Sequence, residues 1–368
     1  MTATKKINVG ILFGGKSAEH EVSLQSAKNI IDAIDRGKYR PVLIGINKSG
    51  RWLMHDDAGY LLHANDPKLI KLNESGRRVA LVPQSDGKLT GLNGDEELQA
   101  IDVVFPVLHG PYGEDGALQG LLKMADVPFV GAGVLGSAVG MDKDVMKRLL
   151  RDAGIPIAAF ITVRFNEDIP EYNAVVSELG EPFFVKPANL GSSVGVSKVH
   201  NAAEYDRAVA HAFDYDNKIL LEQNIQGREI ECSVLGNDDP VASLPGEIIP
   251  RHEFYSYDAK YIDEQGAALE IPANLPEATI AGIRQLSIAA FRALSCAGMA
   301  RVDFFLRGES EIIVNEINTI PGFTSISMYP QLWKASGISY VDLIDRLIQL
   351  AIERFEQERR IKTAYAGD

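Results

Sequence analysis

The stretch Arg301-Val-Asp-Phe-Phe-Leu-Arg-Gly-Glu-Ser-Glu-Ile-Ile-Val-Asn-Glu-Ile-Asn318 reads as two β-strands joined by a tight turn. Side chains alternate along a strand, so Arg301 and Asp303 share the face opposite Val302 and Phe304. On the return strand Glu316 and Asn318 share a face with Ile312 and Val314. A turn at Glu309 and Ser310 sets Asp303 across from Glu316 and Arg301 across from Asn318, with the paired Cβ atoms about 5 Å apart. Two acids, an amide and an arginine then converge. Carboxylates held that close repel unless a cation or a proton lies between them, and an all-oxygen set of Asp, Glu and Asn suits Mg²⁺ better than zinc. Mg²⁺ keeps positions open for water and phosphate oxygens, so the hairpin is a candidate site for a metal–nucleotide complex in which a bridging glutamate holds two ions. The competing reading is a solvated hairpin face with an incidental Arg–Asp pair.

Working outward, the 368-residue chain exceeds the size at which one core keeps growing, so two or three domains are expected. An apolar fraction of 46% and a charged fraction of 24% are those of an ordinary globular protein. A formal net charge of -13, with basic residues dispersed, argues against a nucleic-acid-binding surface. Cys232 and Cys296 are far apart and lack metal-ligand spacing, which fits a reducing compartment; Cys232 alternates with Ile230 and Val234 as strand core. No segment approaches the ~20 apolar residues of a membrane span, so a cytoplasmic protein is expected.

Residues 7 to about 140 alternate strands (Ile7 to Phe13, Pro41 to Ile46, Ile101 to Leu108, Pro128 to Val130) with helices (Ser23 to Ile34, Ala117 to Met124), an α/β pattern with a mostly parallel sheet. Asp142 begins a helix with Val145, Leu149 and Leu150 inward, opening a second unit whose strands read as antiparallel: Phe183 to Lys186, Val194 to Val199, Ile219 to Glu222 and Glu229 to Leu235. The boundaries expected are 1–140, 141–235 and 236–368, and the last unit closes with a helix whose Val341, Ile344, Leu347, Ile348 and Ala351 form an apolar stripe, either core or a dimer contact.

Gly10-Ile-Leu-Phe-Gly-Gly-Lys-Ser17 satisfies the Walker A pattern literally, but Gly10 lies inside an apolar strand rather than opening the loop after it. His20-Glu21 begins a zinc-protease pattern that ends at Leu24, where a second histidine is needed. Lys186 stands on a strand before the turn Gly191-Ser-Ser-Val-Gly195, where glycine permits close approach of backbone to phosphate and hydroxyls donate; the same turn also reads as only a turn. Lys143, just inside its helix, is a second candidate phosphate ligand or an exposed helix lysine. Glu222 and Glu229, seven apart across a bend, supply acceptors suited to an adenine amino group and ribose hydroxyls. His109-Gly-Pro-Tyr-Gly-Glu-Asp-Gly116 follows an apolar strand at the carboxyl end where open α/β sheets bind ligands. Glu19 and Ser23 occupy the equivalent end of the first strand, either as an ammonium site or as a helix cap with a first-turn acid.

Taken in order, Gly14-Gly-Lys-Ser-Ala-Glu-His-Glu-Val-Ser23, His109 to Gly116, Met141-Asp-Lys143, Val185-Lys-Pro187 with Gly191 to Gly195, and Asn315-Glu-Ile-Asn-Thr-Ile-Pro-Gly-Phe-Thr-Ser325 resemble the ATP-grasp superfamily, and within it the D-alanine:D-alanine ligase family, over nearly the whole chain. The resemblance implies a three-domain ATP-grasp fold, α/β and α+β, with a doubly wound first domain, and ATP held between the central and C-terminal domains. It implies ATP contacts from Lys143, Lys186, Ser192, Ser193, Glu222, Ile225, Glu229, Lys260, Asn315 and Glu316, and two Mg²⁺, or Mn²⁺ in their place, on Asp303, Glu316 and Asn318. Glu19 would bind the ammonium of the first D-alanine, supported by Ser192 and Tyr261, while Ser327 and Lys260 would take the carboxylate of the second. Arg301 and the Gly322 amide would stabilise the tetrahedral oxyanion, and His109 would orient the substrates.

Tyr261 is also the residue that ester-forming relatives usually replace, so the dipeptide-forming type is implied, for peptidoglycan precursors. A homodimer and a lid over 251–267 are implied as well. The insertion from about Gly50 to Glu97 carries no assigned chemistry. The alternatives are a D-alanine:D-lactate or other ATP-grasp ligase, and a small-ligand-binding protein without catalysis; the clustered acids speak against the second.

Overall fold

The computed structural model describes residues 5–56, 59–92, 97–250 and 267–362. Lys260 and Tyr261 lie outside them.

The first sheet is mixed. Strand Ile7–Gly14 runs parallel to Tyr39–Ile46 on one side and to Val103–Val107 on the other, the arrangement that the alternating strands and helices predict. Beyond Tyr39–Ile46 the sheet continues through Trp52–His55, Arg77–Leu81, Lys88–Gly91 and Glu97–Ala100, all antiparallel. Between these strands the described residues form no helical crossover, and a parallel strand needs one. Residues Pro128 to Val130, expected as a strand, make a single bridge at Phe129. Gly10 lies within the first strand, as the argument against a P-loop requires. Helix His20–Ala33 begins three residues before the expected start, so Ser23 is inside it and caps nothing. Instead its buried hydroxyl accepts from the Gly14 N–H at 2.7 Å and donates to the carbonyl of Val107, pinning two strand ends to the helix.

The central sheet has four antiparallel strands in the order Phe160–Arg164, Lys218–Gln223, Phe183–Pro187, Ser197–Val199. The last begins at Ser197 rather than Val194, since the serine turn occupies the residues before it. Arg228–Gly236, expected with these strands, pairs instead with Gly246–Pro250 and Gly298–Arg307 in the C-terminal antiparallel sheet, so the chain passes between sheets at 224–227. That sheet has one apolar face, with Ile230, Cys232, Val302 and Phe304 under helices Lys143–Asp152 and Glu277–Ala293. Its other face is polar and forms a wall of the cleft.

Helix Lys143–Asp152 is capped by Asp142, whose carboxylate accepts from the Val145 N–H at 3.1 Å and is clamped by Lys218. Its buried residues are Asp144, Met146, Lys147 and Leu150, whereas Leu149, expected inward, is 37% exposed. The closing helix Tyr340–Glu358 buries Leu343, Ile344, Leu347, Ile348 and Ala351 against the first sheet; Val341 is exposed.

Replacement of Ser23 by alanine leaves a buried N–H and a buried carbonyl unpaired. Ser23→Ala is therefore expected to lower stability by about 1–3 kcal/mol, read as a lower denaturant midpoint at unchanged slope.

Candidate active site

The hairpin register is the expected one, reached by a different route. Arg301 faces Asn318 and Asp303 faces Glu316, but Arg307 pairs with Glu311, so the connection is the three residues Gly308, Glu309 and Ser310. A two-residue turn would set the partners one residue out of step with this, and the bulge at Asn315 restores the count. The bulge also reverses the face of everything beyond it. Ile312 and Val314 pair with Leu306 and Phe304 on the apolar face, opposite Glu316 and Asn318 rather than beside them, while Asn315 turns into the cleft.

Cross-strand neighbours make two polar rows: Glu231, Asp303 and Glu316 in one, Ser233, Arg301 and Asn318 in the other. Arg301 bonds Asp303 through Nε and Nη2, both at 2.7 Å, and its Nε also lies 2.7 Å from Glu231. The Asn318 amide nitrogen donates to Asp303 at 3.0 Å, leaving the amide oxygen for another partner. Glu316 lies 3.6 Å from the Lys143 ammonium, which donates to the carbonyl of Leu190 at 2.6 Å. Among the described residues no three acid, histidine or cysteine side chains already surround a point where a cation would sit. The donors are nonetheless hard oxygens on adjacent strands, with Arg301 holding Asp303, and this chemistry fits Mg²⁺.

Opposite, Lys186 on its strand lies 2.9 Å from Glu222, and Lys147 lies 3.1 Å from the same carboxylate oxygen. Burial alone would raise the Glu222 pKa; the two ammonium groups reverse the sign and keep it below the usual carboxylate range. Breaking a buried pair of this kind by removing one partner typically costs about 3–5 kcal/mol. Ser192 and Ser193, with φ of 54° and 59°, hold the left-handed conformation that turns the 191–195 loop over the cleft.

The first unit closes the far end. Ser192 donates to Glu19 at 2.5 Å, joining residues 173 apart in sequence. His109 faces the carbonyl of Ile320 through Nδ1 at 3.0 Å; a carbonyl only accepts, so Nδ1 carries the hydrogen and Nε2 is an acceptor with no hydrogen-bond partner among the described residues. Burial keeps this imidazole neutral by lowering its pKa. Phe323 is locked into the core, its N–H donating to Ser26 at 3.0 Å and its carbonyl accepting from Asn29 and Tyr340. That anchor presents Gly322 and Ser327 to the cleft.

Glu19, Lys143, Lys186, Ser192, Ser193, Glu222, Ile225, Glu229, Arg301, Asp303, Asn315, Glu316, Asn318, Gly322 and Ser327 all line one cleft of about 630 Å³. His109 is buried and is not among its lining residues. Among the described residues, Glu114, Lys198 and Glu231 also line the cleft and Lys147 is buried beside it, none of them given a role by the sequence reading. Lys147 is one helical turn from Lys143, Glu231 one strand period from Glu229, and Glu114 within the His109 to Gly116 motif.

Two antiparallel sheets gripping a cleft lined by lysines, with a row of acids on one wall, define a nucleotide-dependent ligase of the ATP-grasp class. The D-ala D-ala ligase N-terminal and C-terminal family models match residues 8–132 and 149–349. The chain belongs to the D-alanine–D-alanine ligase family. It is 54% identical over 361 residues to the D-alanine–D-alanine ligase of Oceanobacillus iheyensis, covering 98% of this chain and 99% of that one. It is 56% identical over 360 residues to D-alanine–D-alanine ligase A of Salmonella typhimurium, covering 97% and 99%. Among solved structures, the Coxiella burnetii D-alanine-D-alanine ligase superposes with a TM-score of 0.85 at 40% identity, covering 97% of each chain. An Enterococcus faecalis D-Ala:D-Ser ligase gives 0.82 at 34% identity, covering 94% of this chain and all of that one.

Glu114 accepts from the N–H groups of Gly110 at 2.7 Å and Ile320 at 3.2 Å, yet burial, with the Glu19 charge adding to it, pushes its pKa up to about 8. A raised pKa means the folded state binds the proton more tightly. The contribution is full below the ordinary value of 4.5 and is lost as pH rises to about 8. Glu114→Gln is expected to flatten this part of the stability profile in denaturant titrations between pH 5 and 9; an unchanged slope would count against it.

Proposed function

We propose that this protein joins two D-alanines into D-alanyl-D-alanine at the expense of ATP, through a D-alanyl phosphate, supplying a peptidoglycan precursor. The observation that carries the reading is the family match over both halves of the chain, with the named residues converging on one cleft.

A carboxylate is a poor electrophile. An oxygen of the first D-alanine's carboxylate attacks the γ-phosphorus, the bond to the bridging oxygen breaks, and ADP leaves. The amine of the second D-alanine then attacks the acyl carbon, loses a proton, and expels inorganic phosphate. Lys143 and Lys186 would meet the phosphates, Glu222 and Glu229 the adenosine, and Ile225, Ser193 and Asn315 would complete that side. Asp303, Glu316 and Asn318 would hold two Mg²⁺, or Mn²⁺, which offset charge on the transferring phosphoryl group. Glu19, supported by Ser192, accepts from the first ammonium; Arg301 and the Gly322 N–H donate to the oxyanion; Ser327 receives the second carboxylate, and His109 orients the substrates from behind the cleft wall. Lys260 and Tyr261 are assigned from the resemblance to the second carboxylate and to the Glu19 group. The resemblance also assigns a homodimer, which sedimentation would test.

The D-Ala:D-Ser ligase neighbour motivates a comparison of acceptors. ADP release with ATP, Mg²⁺ and D-alanine, with D-alanyl-D-alanine found by mass analysis, is expected. A product carrying D-serine or D-lactate in preference would overturn the acceptor assignment, and no D-alanine-dependent ADP release would overturn the reaction. Removing divalent ions is expected to abolish turnover, and loss of the Arg301 donor in Arg301→Met to lower the rate by about 10²–10³-fold.

A Cβ on Gly322 would meet Ser327 Oγ at 2.8 Å. Gly322→Ala is therefore expected to raise the KM for the second D-alanine more than that for ATP; equal changes would detach Ser327 from that carboxylate.

A further inference from the structure

Two lysines share one oxygen of Glu222, and they differ in what else they can reach. Lys186 comes from strand Phe183–Pro187, keeps 11% of its side chain exposed and lines the cleft. Lys147 comes from helix Lys143–Asp152, has 0% exposure and does not line it. One carboxylate needs only one ammonium for neutrality, so the group carries a surplus positive charge whose cleft-facing member is Lys186.

Resting on the nucleotide reading above, we infer that Lys147 is a positioning residue: it holds Glu222 permanently, so that Lys186 leaves that carboxylate for the incoming phosphates. Without Lys147, departure of Lys186 would strand Glu222 as a buried anion in a low-dielectric wall, and the lysine would stay where it is. With Lys147 in place the exchange swaps one anionic partner for another, and Glu222 keeps its position against the base. The Phe160 ring centroid is 5.9 Å from the Lys147 ammonium and the side chain has 0% exposure, so no solvent substitutes for it. Lys143, one turn earlier on the same helix, is spent on Leu190 and Glu316 and cannot take its place.

The test compares ATP with adenosine, which has the base and ribose but no phosphates, by competition binding with Mg²⁺ present throughout. In Lys147→Met the preference for ATP over adenosine is expected to fall by about tenfold or more, the size of one charge-assisted contact. In Lys147→Met/Glu222→Gln both buried charges are gone and nothing holds Lys186 back, so the preference is expected to return to within about threefold of the unaltered protein. The double variant also supplies the answer if the single one does not fold. Equal weakening of both ligands in Lys147→Met would make the lysine only structural and overturn the inference while the nucleotide reading stands. A preference still lost in the double variant would make Lys147 itself a phosphate contact, and overturn it too. If the unaltered protein bound neither ligand, both readings would fall.

Discussion

The period of two along a strand is the constraint on which the rest of this molecule depends. In the C-terminal sheet it sends Ile230, Cys232, Val302 and Phe304 to a face sealed by helices and sends Glu231, Arg301 and Asp303 to the other. Like charges on neighbouring strands oppose pairing, so such a face persists only with compensation. Arg301 supplies it, lying against both Glu231 and Asp303, and the backbone ladder bonds hold the strands at the spacing the carboxylates would resist.

A polar face alone is not a site. It becomes one because the first, central and C-terminal sheets meet around it, joined in part by hydrogen bonds of long sequence separation. Glu19 takes the Ser192 hydroxyl, the carbonyl of Ile320 takes His109, and the Glu114 carboxyl takes the Ile320 amide. The closing helix adds its apolar stripe to the core of the first sheet, which ties the chain's last described element to its first. The groups assigned to the substrates come from the first unit (Glu19, His109) and from the C-terminal one (Arg301, Gly322, Ser327), so relative movement of those two would separate them.

Electrostatically the cleft has two ends of different character. Toward the nucleotide, Lys143, Lys147 and Lys186 face Glu222 and Glu316 at 2.9–3.6 Å, three cations against two anions. Toward the substrates, Glu19 and Glu114 lie near each other at low dielectric, which drives Glu114 to keep its proton. The same physics, burial acting on charge, thus preserves an anion at one end and neutralises one at the other, and the neighbouring charge decides which.

Much of this was legible in the chain itself. Alternation along 301–304 and along 229–235 is a local property, so those polar and apolar faces could be read directly, whereas strict alternation sets Ile312 and Val314 on the wrong face because the bulge at Asn315 breaks it; the glycine- and serine-rich segments marked the cleft's loops. The pairing of Asp303 with Glu316 was also legible, although the turn is one residue longer than expected and a bulge at Asn315 compensates, a detail settled by how Ile312 and Val314 pack rather than by the turn residues. What the sequence could not determine is which charged residues lose their water. Lys147 looks like any helix lysine, Glu231 like any strand acid, and the insertion from about Gly50 to Glu97 suggested no role; only the docking of helix on sheet, strand on strand and unit on unit buries the first two against partners and makes Trp52–His55, Arg77–Leu81 and Lys88–Gly91 an extension of the first sheet. Side-chain direction is set by local backbone periodicity, whereas burial, and with it charge state and partner, is set by surfaces that sequence separation hides.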